Sequence, residues 1–181
     1  MKKIYLSILF SGLTLLAILL VYLSLHKPYL DSESMEILFK DNRLNFENAA
    51  AAIRETPCEH LVGIIGEGQG EKLKRIQEDG QFVVVQVQEL YFYADGSDVS
   101  VESYESYLRL YDVVKPLLSQ AGMVHSIFYN ESMIHFSLKY DTGFESAIVF
   151  SYSGKDPAYY FADILEEKSL GDDWYSVAVC Y

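Results

Sequence analysis

His125 and His135 are the residues whose type and spacing come nearest to metal chemistry. They fall on adjacent strands of one hairpin, and two imidazoles on one sheet face can share a zinc ion. The register decides the matter. A two-residue turn at Glu131-Ser132 pairs His125 with Leu138 and sends the rings to opposite faces, whereas a three-residue turn pairs His125 with Ser137 and leaves both on one face. Cys58-x-His60 offers a second pair of ligand types, with no third ligand at zinc spacing. The patterns give no expectation of a metal site.

Gly66-Glu67-Gly68-Gln69-Gly70 sits between a strand and a helix, the setting of a phosphate-binding loop. A G-x-G-x-x-G pattern would need glycine at Glu71, and Glu67 and Glu71 would repel phosphate. Asp95, Asp98, Ser100 and Glu102 place oxygen donors on and after a turn but miss the D-x-[DN]-x-[DN]-G calcium loop. Glu166-Glu167 and Asp172-Asp173 could supply paired carboxylates for acid–base work. G-x-S-x-G, S-x-x-K and H-E-x-x-H are absent. No catalytic residue and no cofactor is therefore expected. Asn130-Glu131-Ser132 fits a glycosylation sequon, informative only in a eukaryote.

The chain is rich in aromatics, with 15 Tyr, 10 Phe and one Trp. Tyr104, Tyr107 and Tyr111 recur on one helical stripe, and Tyr159-Tyr160-Phe161 cluster near the end. Core packing accounts for most aromatics. Tyr104, Tyr107, Tyr111, Tyr159 and Tyr160 are the candidate interface, because tyrosine is amphipathic and common in protein contacts. Cys58 and Cys180 are the only cysteines. Outside the cytoplasm they could pair, closing a loop worth roughly 4–5 kcal/mol; otherwise they are two core thiols.

These groups hang on a readable set of elements. Residues 32–55 have helical periodicity, with a break expected at Asp41-Asn42 and a stop at Pro57. Residues 60–65 read as a short strand and 71–79 as one or two helical turns. Residues 82–93 read as one long strand, ended by the turn Ala94-Asp95-Gly96-Ser97-Asp98. Residues 103–121 form a second helix with Pro116 as an irregularity. Strands at 123–130, 133–140 and 145–152 follow in hairpins. On the second of these, His135, Ser137 and Lys139 define a wet face. Residues 159–168 read as helical and 173–181 as a closing strand. The expected fold is α+β, an antiparallel meander packed on one face by helices.

Residues 1–27 direct the rest. An uncharged run from 4 to 25 follows Lys2 and Lys3, and at 1.5 Å per residue it spans roughly 33 Å, enough to cross a bilayer. Residues 1–27 are thus expected to be a signal-anchor through the lipid bilayer, with the N-terminus inside and residues 28–181 outside. The alternative is secretion after signal cleavage, though no A-x-A-like site ends the run. Lys2, Lys3 and Lys27 are three of the 14 basic residues, while all 26 acidic residues lie beyond Tyr29. The remainder is therefore more acidic than the whole chain's −12. That charge disfavours nucleic acid, so no nucleic-acid partner is expected, and a basic protein partner would be drawn in faster.

The tail, Ile148-Val149-Phe150-Ser151-Tyr152-Ser153 leading to Leu170-Gly171-Asp172-Asp173-Trp174-Tyr175, resembles the endings of small bacterial exported proteins of uncharacterised function. The resemblance implies a bacterial envelope protein and assigns no residue a role. The expectation is a membrane-anchored, extracytoplasmic protein-binding domain, of which an immunity-type inhibitor is one form. An envelope enzyme using surface carboxylates and a small-ligand-binding domain are the alternatives.

Overall fold

Apolar–polar alternation over residues 126–151 makes strands, and in the computed structural model these belong to one eight-stranded antiparallel sheet. The structure describes residues 12–16, 28–55, 61–66, 69–95, 101–119, 123–130, 132–141, 143–155, 157, 161 and 163–181. In chain order the elements are α1 (Ser32–Glu55), β1 (Leu61–Ile65), α2 (Gly70–Asp79), β2 (Phe82–Val87), β3 (Leu90–Asp95) and α3 (Val101–Ser119), then β4 (Ser126–Tyr129), β5 (Met133–Asp141), β6 (Phe144–Ser151), β7 (Ile164–Gly171) and β8 (Trp174–Cys180). The strand order is β2-β3-β1-β4-β5-β6-β8-β7. The chain is α+β.

α1 starts where Asp31 Oδ1 accepts the Ser34 N–H at 2.8 Å, a side-chain cap. Met35, Phe39, Phe46, Ala49, Ala50 and Ile53 recur at helical spacing and are buried. Asn42 leaves helical geometry (φ −122°, ψ 15°) and its Nδ2 donates to Leu38 O at 3.0 Å. This is the break expected at Asp41-Asn42. α3 packs beside α1 and buries Tyr107, Leu110, Tyr111, Val114 and Leu117. Together they cover one face of the sheet. At its centre the Trp174 ring lies 5.1 Å from Phe39, 6.1 Å from Phe46, 5.8 Å from Phe136 and 4.8 Å from Phe150.

Two expectations are corrected. Residues 82–93 form two strands, because Gln88, with φ 53°, starts a two-residue turn at Gln88-Glu89 and folds β3 back on β2. Residues 164–168, expected as helix, belong to the edge strand β7. Asp172 and Asp173 have φ 51° and 64°, a turn that matches strand twist and returns the chain as β8.

The helices do not all share a face. Ile127, Ile134 and Phe136 point to α1 and α3, so Ser126, Phe128, His135 and Ser137, which alternate with them, face the other way. α2 lies on that second face, with Lys72 reaching Ser126 and Phe128. Among the described residues, no helix is long and apolar enough to cross a membrane. The apolar run 4–25 lies largely outside the described residues; its described part, 12–16, is helical with Leu13, Leu15 and Leu16 exposed.

Candidate ligand-binding site

The sheet register builds the site. Tyr93 of β3 pairs with Gly63 of β1, Gly63 with Phe128 of β4, and Phe128 with His135 of β5. Their side chains form one row across the second face. Gly63 leaves the gap into which the Tyr93 ring leans. A Cβ there would stand 2.5 Å from the Tyr93 hydroxyl and 2.6 Å from Ile127 O. Phe82, Tyr93, Phe128, His135 and Phe161 then follow one another with ring centroids 5.5–6.1 Å apart.

One row over, Ser126 pairs with Ser137. Next to these serines the β5–β6 register shifts between Ser137 and Lys139, a bulge of the kind that re-aims neighbouring side chains. Glu145 of β6 is turned inward here and is only 5% exposed. Its Oε1 lies 3.5 Å from His135 Nε2, and its Oε2 accepts the Tyr181 hydroxyl at 2.7 Å. The face read from sequence as wet at His135 and Ser137 is therefore buried. Phe161 and Phe128 flank the His135 ring.

α2 supplies the other wall. It carries no fully buried side chain and ends at Gly80, whose φ of 68° suits a helix stop. Lys72 Nζ donates to Ser126 Oγ at 2.9 Å and lies 4.1 Å from the Phe128 ring centre. A cavity of about 350 Å³ is lined by Lys72, Phe128, His135, Glu145 and Tyr181. Beside it, sharing Lys72, one of about 310 Å³ is lined by Gln69, Glu71, Lys72, Arg75, Ile76, His125 and Ser137.

Electrostatics follow from burial. Desolvation pushes the His135 imidazole below its ordinary value; nearby Lys72 adds to this and Glu145 opposes it. Desolvation alone would raise Glu145, but attraction to His135 once that ring is protonated, the hydroxyls of Ser137 and Tyr181, and Lys72 together hold it low. At neutral pH the pair is thus a carboxylate facing a neutral imidazole. Burial lowers Lys72 and raises the Tyr93 phenol well above its usual range.

The β4–β5 register is the one a two-residue turn at Glu131-Ser132 gives. His125 lies just before β4, where its Nδ1 accepts from Gln69 Nε2 at 3.1 Å and the ring lines the second cavity. That register alone would send the rings to opposite faces, but His125 precedes β4 and escapes its alternation, so the two histidines sit in adjoining pockets. Among the described residues, no group of three or more His, Cys, Asp or Glu is placed to hold a metal ion.

The other candidates disperse. Tyr107 and Tyr111 are 1% and 3% exposed, packed in the core, so the stripe proposed as a surface faces the sheet; only Tyr104 of the three is exposed, at 41%. Tyr159, Tyr160 and Cys58 lie outside the described residues, as does most of the 95–102 turn. Cys180 is half-buried. The carboxylate pairs are split by strand alternation and turn geometry. Glu166 accepts from Tyr29 OH, Ser32 N and Ser32 Oγ, holding the start of α1, while Asp172 bonds Arg43. Asn130 Oδ1 accepts from Ser132 N and Met133 N, shaping the β4–β5 turn.

The chain matches no protein-family model, no curated protein and no solved structure. The likeness of its tail to small bacterial exported proteins accordingly rests on the quoted residues alone.

Sequence reasoning missed Lys72, Tyr93, Glu145 and Tyr181. One signal was present: Glu145 lies in phase with Ala147 and Val149 along β6, so strand alternation turns it to the same face as those buried residues.

Proposed function

We propose that this chain is a small-ligand-binding domain whose site is the polar patch between α2 and β4–β6. One observation carries the reading. Tyr93 OH is buried on this face with no hydrogen-bond partner among the described residues, and the buried His135 Nε2, Ser137 Oγ and Glu145 Oε1 have only one another, at long or poorly aligned range. An unmet buried polar group costs about 1–3 kcal/mol, and a bound polar molecule would offset that cost for several at once. The neighbouring cavities are of a size that suits a small molecule.

The apolar run 4–25 supports display of this domain outside a membrane, tethered by its N-terminus. The acidic surface then serves solubility, and a protein partner is secondary, since Tyr107 and Tyr111 are not available to one.

The test is a thermal-shift screen of the full chain in detergent against amino acids, sugars, carboxylic acids, amines and inorganic phosphate. At least one class should raise the Tm, as any ligand that favours the native state must, and Glu145→Gln should abolish the shift. No response from any class, or a shift indifferent to Glu145→Gln, rejects the reading.

A further inference from the structure

We infer that the occupant of this site is a small zwitterion, with its ammonium on the Glu145 side and its acid group on the Lys72–Arg75 side. The inference rests on the ligand-site reading above. Glu145 and Lys72 line the same cavity with opposite charges, yet they do not close into an ion pair. Lys72 is held instead by Ser126 Oγ and the Phe128 ring, and Glu145 by the Tyr181 hydroxyl and His135. The cavity therefore has a fixed electrical polarity. A simple anion would meet Glu145, and a simple amine would meet Lys72. A molecule carrying both charges meets each with its opposite.

Arg75 strengthens the positive end. It is exposed, one helical turn from Lys72, and lines with it the adjoining cavity, where its charge and that of Lys72 together outweigh the single carboxylate of Glu71. Several cations elsewhere are matched to carboxylates: Lys40 and Lys168 to Glu36, Arg43 to Glu47 and Asp172, Lys74 to Glu78, and Lys115 to Glu89, while Arg54 lies over the Tyr152 ring and Arg109 donates to Glu105 O. Lys72 and Arg75 have no such partner among the described residues. A guanidinium beside an ammonium, with Gln69 and Ser137 nearby, can receive a carboxylate or another small acid group. At the other end Glu145 Oε1 can accept from an ammonium.

The experiment is calorimetric titration of the full chain in detergent with the twenty L-amino acids and dialanine. Sodium acetate, methylammonium chloride, glucose and sodium phosphate serve as controls. At least one zwitterion should bind at least tenfold more tightly than acetate or methylammonium. Glu145→Gln and Arg75→Gln should each weaken it tenfold or more, and Arg75, being exposed, can be changed without loss of fold. Acetate, phosphate, methylammonium or glucose binding as tightly as every zwitterion overturns the inference while leaving a ligand site. Zwitterion binding unchanged in Arg75→Gln also overturns it. Silence from every probe overturns the inference and the ligand-site reading together.

Discussion

Lys72 and Glu145 carry opposite charges into one cavity, and each is bonded to something other than the other. Ion pairs that can close usually do, because attraction strengthens as water is excluded. This pair stays open because the sheet fixes Glu145 from β6 while α2 delivers Lys72 from across β4. Ser126 and Phe128 stand between as its nearer partners.

The acid side of the stability profile should follow from His135 and Glu145. His135 is held below its ordinary 6.5, so the unfolded chain takes up a proton that the folded chain refuses, and stability falls as pH drops through that range. Glu145 is held below 4.5; its contribution is present above that value and is lost at lower pH, as the folded carboxylate finally protonates. Urea midpoints should change little from neutral to mildly alkaline pH, before Lys72 and Tyr93 titrate, and on the acid side fall in two stages, the first beginning near 6.5 and the second near 4.5. His135→Gln should shrink the first stage, leaving the part that His125 contributes. An unchanged first stage would mean that the His135 ring is not buried neutral.

Gly63→Ala should destabilise by at least about 2 kcal/mol, at the upper part of the range for overpacking. The new methyl would meet Ile127 O, a backbone atom that cannot swing away, as well as the Tyr93 hydroxyl. Urea denaturation measures the loss. A change within experimental error would show that the Tyr93 ring does not cross this glycine.

Phe39→Ala should cost about 3–5 kcal/mol, as large-to-small changes at buried aromatics do. Phe39 is 1% exposed and its ring sits 5.1 Å from Trp174. Trp174 is the only tryptophan, so its emission should also shift in the folded variant. Unaltered emission would place Trp174 outside this cluster.

Asp173→Gly should stabilise by about 0.5 kcal/mol, since glycine removes the left-handed penalty at φ 64° and returns part of the gain in chain entropy. The variant creates an Asp-Gly turn, the preferred chemistry for this hairpin. Thermal unfolding distinguishes a gain from a loss, and a loss would assign the Asp173 side chain a structural role.

The helices were legible because their signal is local. Met35, Phe39 and Phe46 mark one stripe, and Asn42 announces the break through its own side chain. The hairpins of β4, β5 and β6 were legible for the same reason, from alternation and short polar turns. The β2–β3 turn was not, because Gln88-Glu89 lacks glycine, asparagine or proline and takes its positive φ from the pairing on either side. β7 was read as helix because Glu166-Glu167-Lys168 favours helix when isolated; β8 and the bonds from Tyr29 and Ser32 to Glu166 impose the strand.

The site was illegible for a different reason. Lys72 looks like one more charge on a polar helix, Glu145 like one more acid among 26, and Tyr93 like the end of an apolar strand. They converge only through the pairing of β3 with β1 and of β1 with β4, contacts between residues distant in the chain. The tyrosine stripe failed in the opposite sense: the periodicity of Tyr107 and Tyr111 was real, but it marked the core.

The strand order has a mechanical meaning. β2, β3 and β1 form one ribbon and β4 to β8 another, and among the described residues the ladder joining them pairs Gly63–Phe128, Ile64–Ile127 and Ile65–Ser126, with one further bond from Gly66 N to His125 O at 3.0 Å. Among the described residues it is the shortest seam in the sheet. Tyr93 and the Lys72 helix belong to one side of it; His135, Ser137, Glu145 and Tyr181 belong to the other. Whatever spans the cavity from Lys72 to Glu145 therefore clasps the two ribbons where they are least sewn together, and filling the pocket and locking the halves into one cooperative unit become the same event.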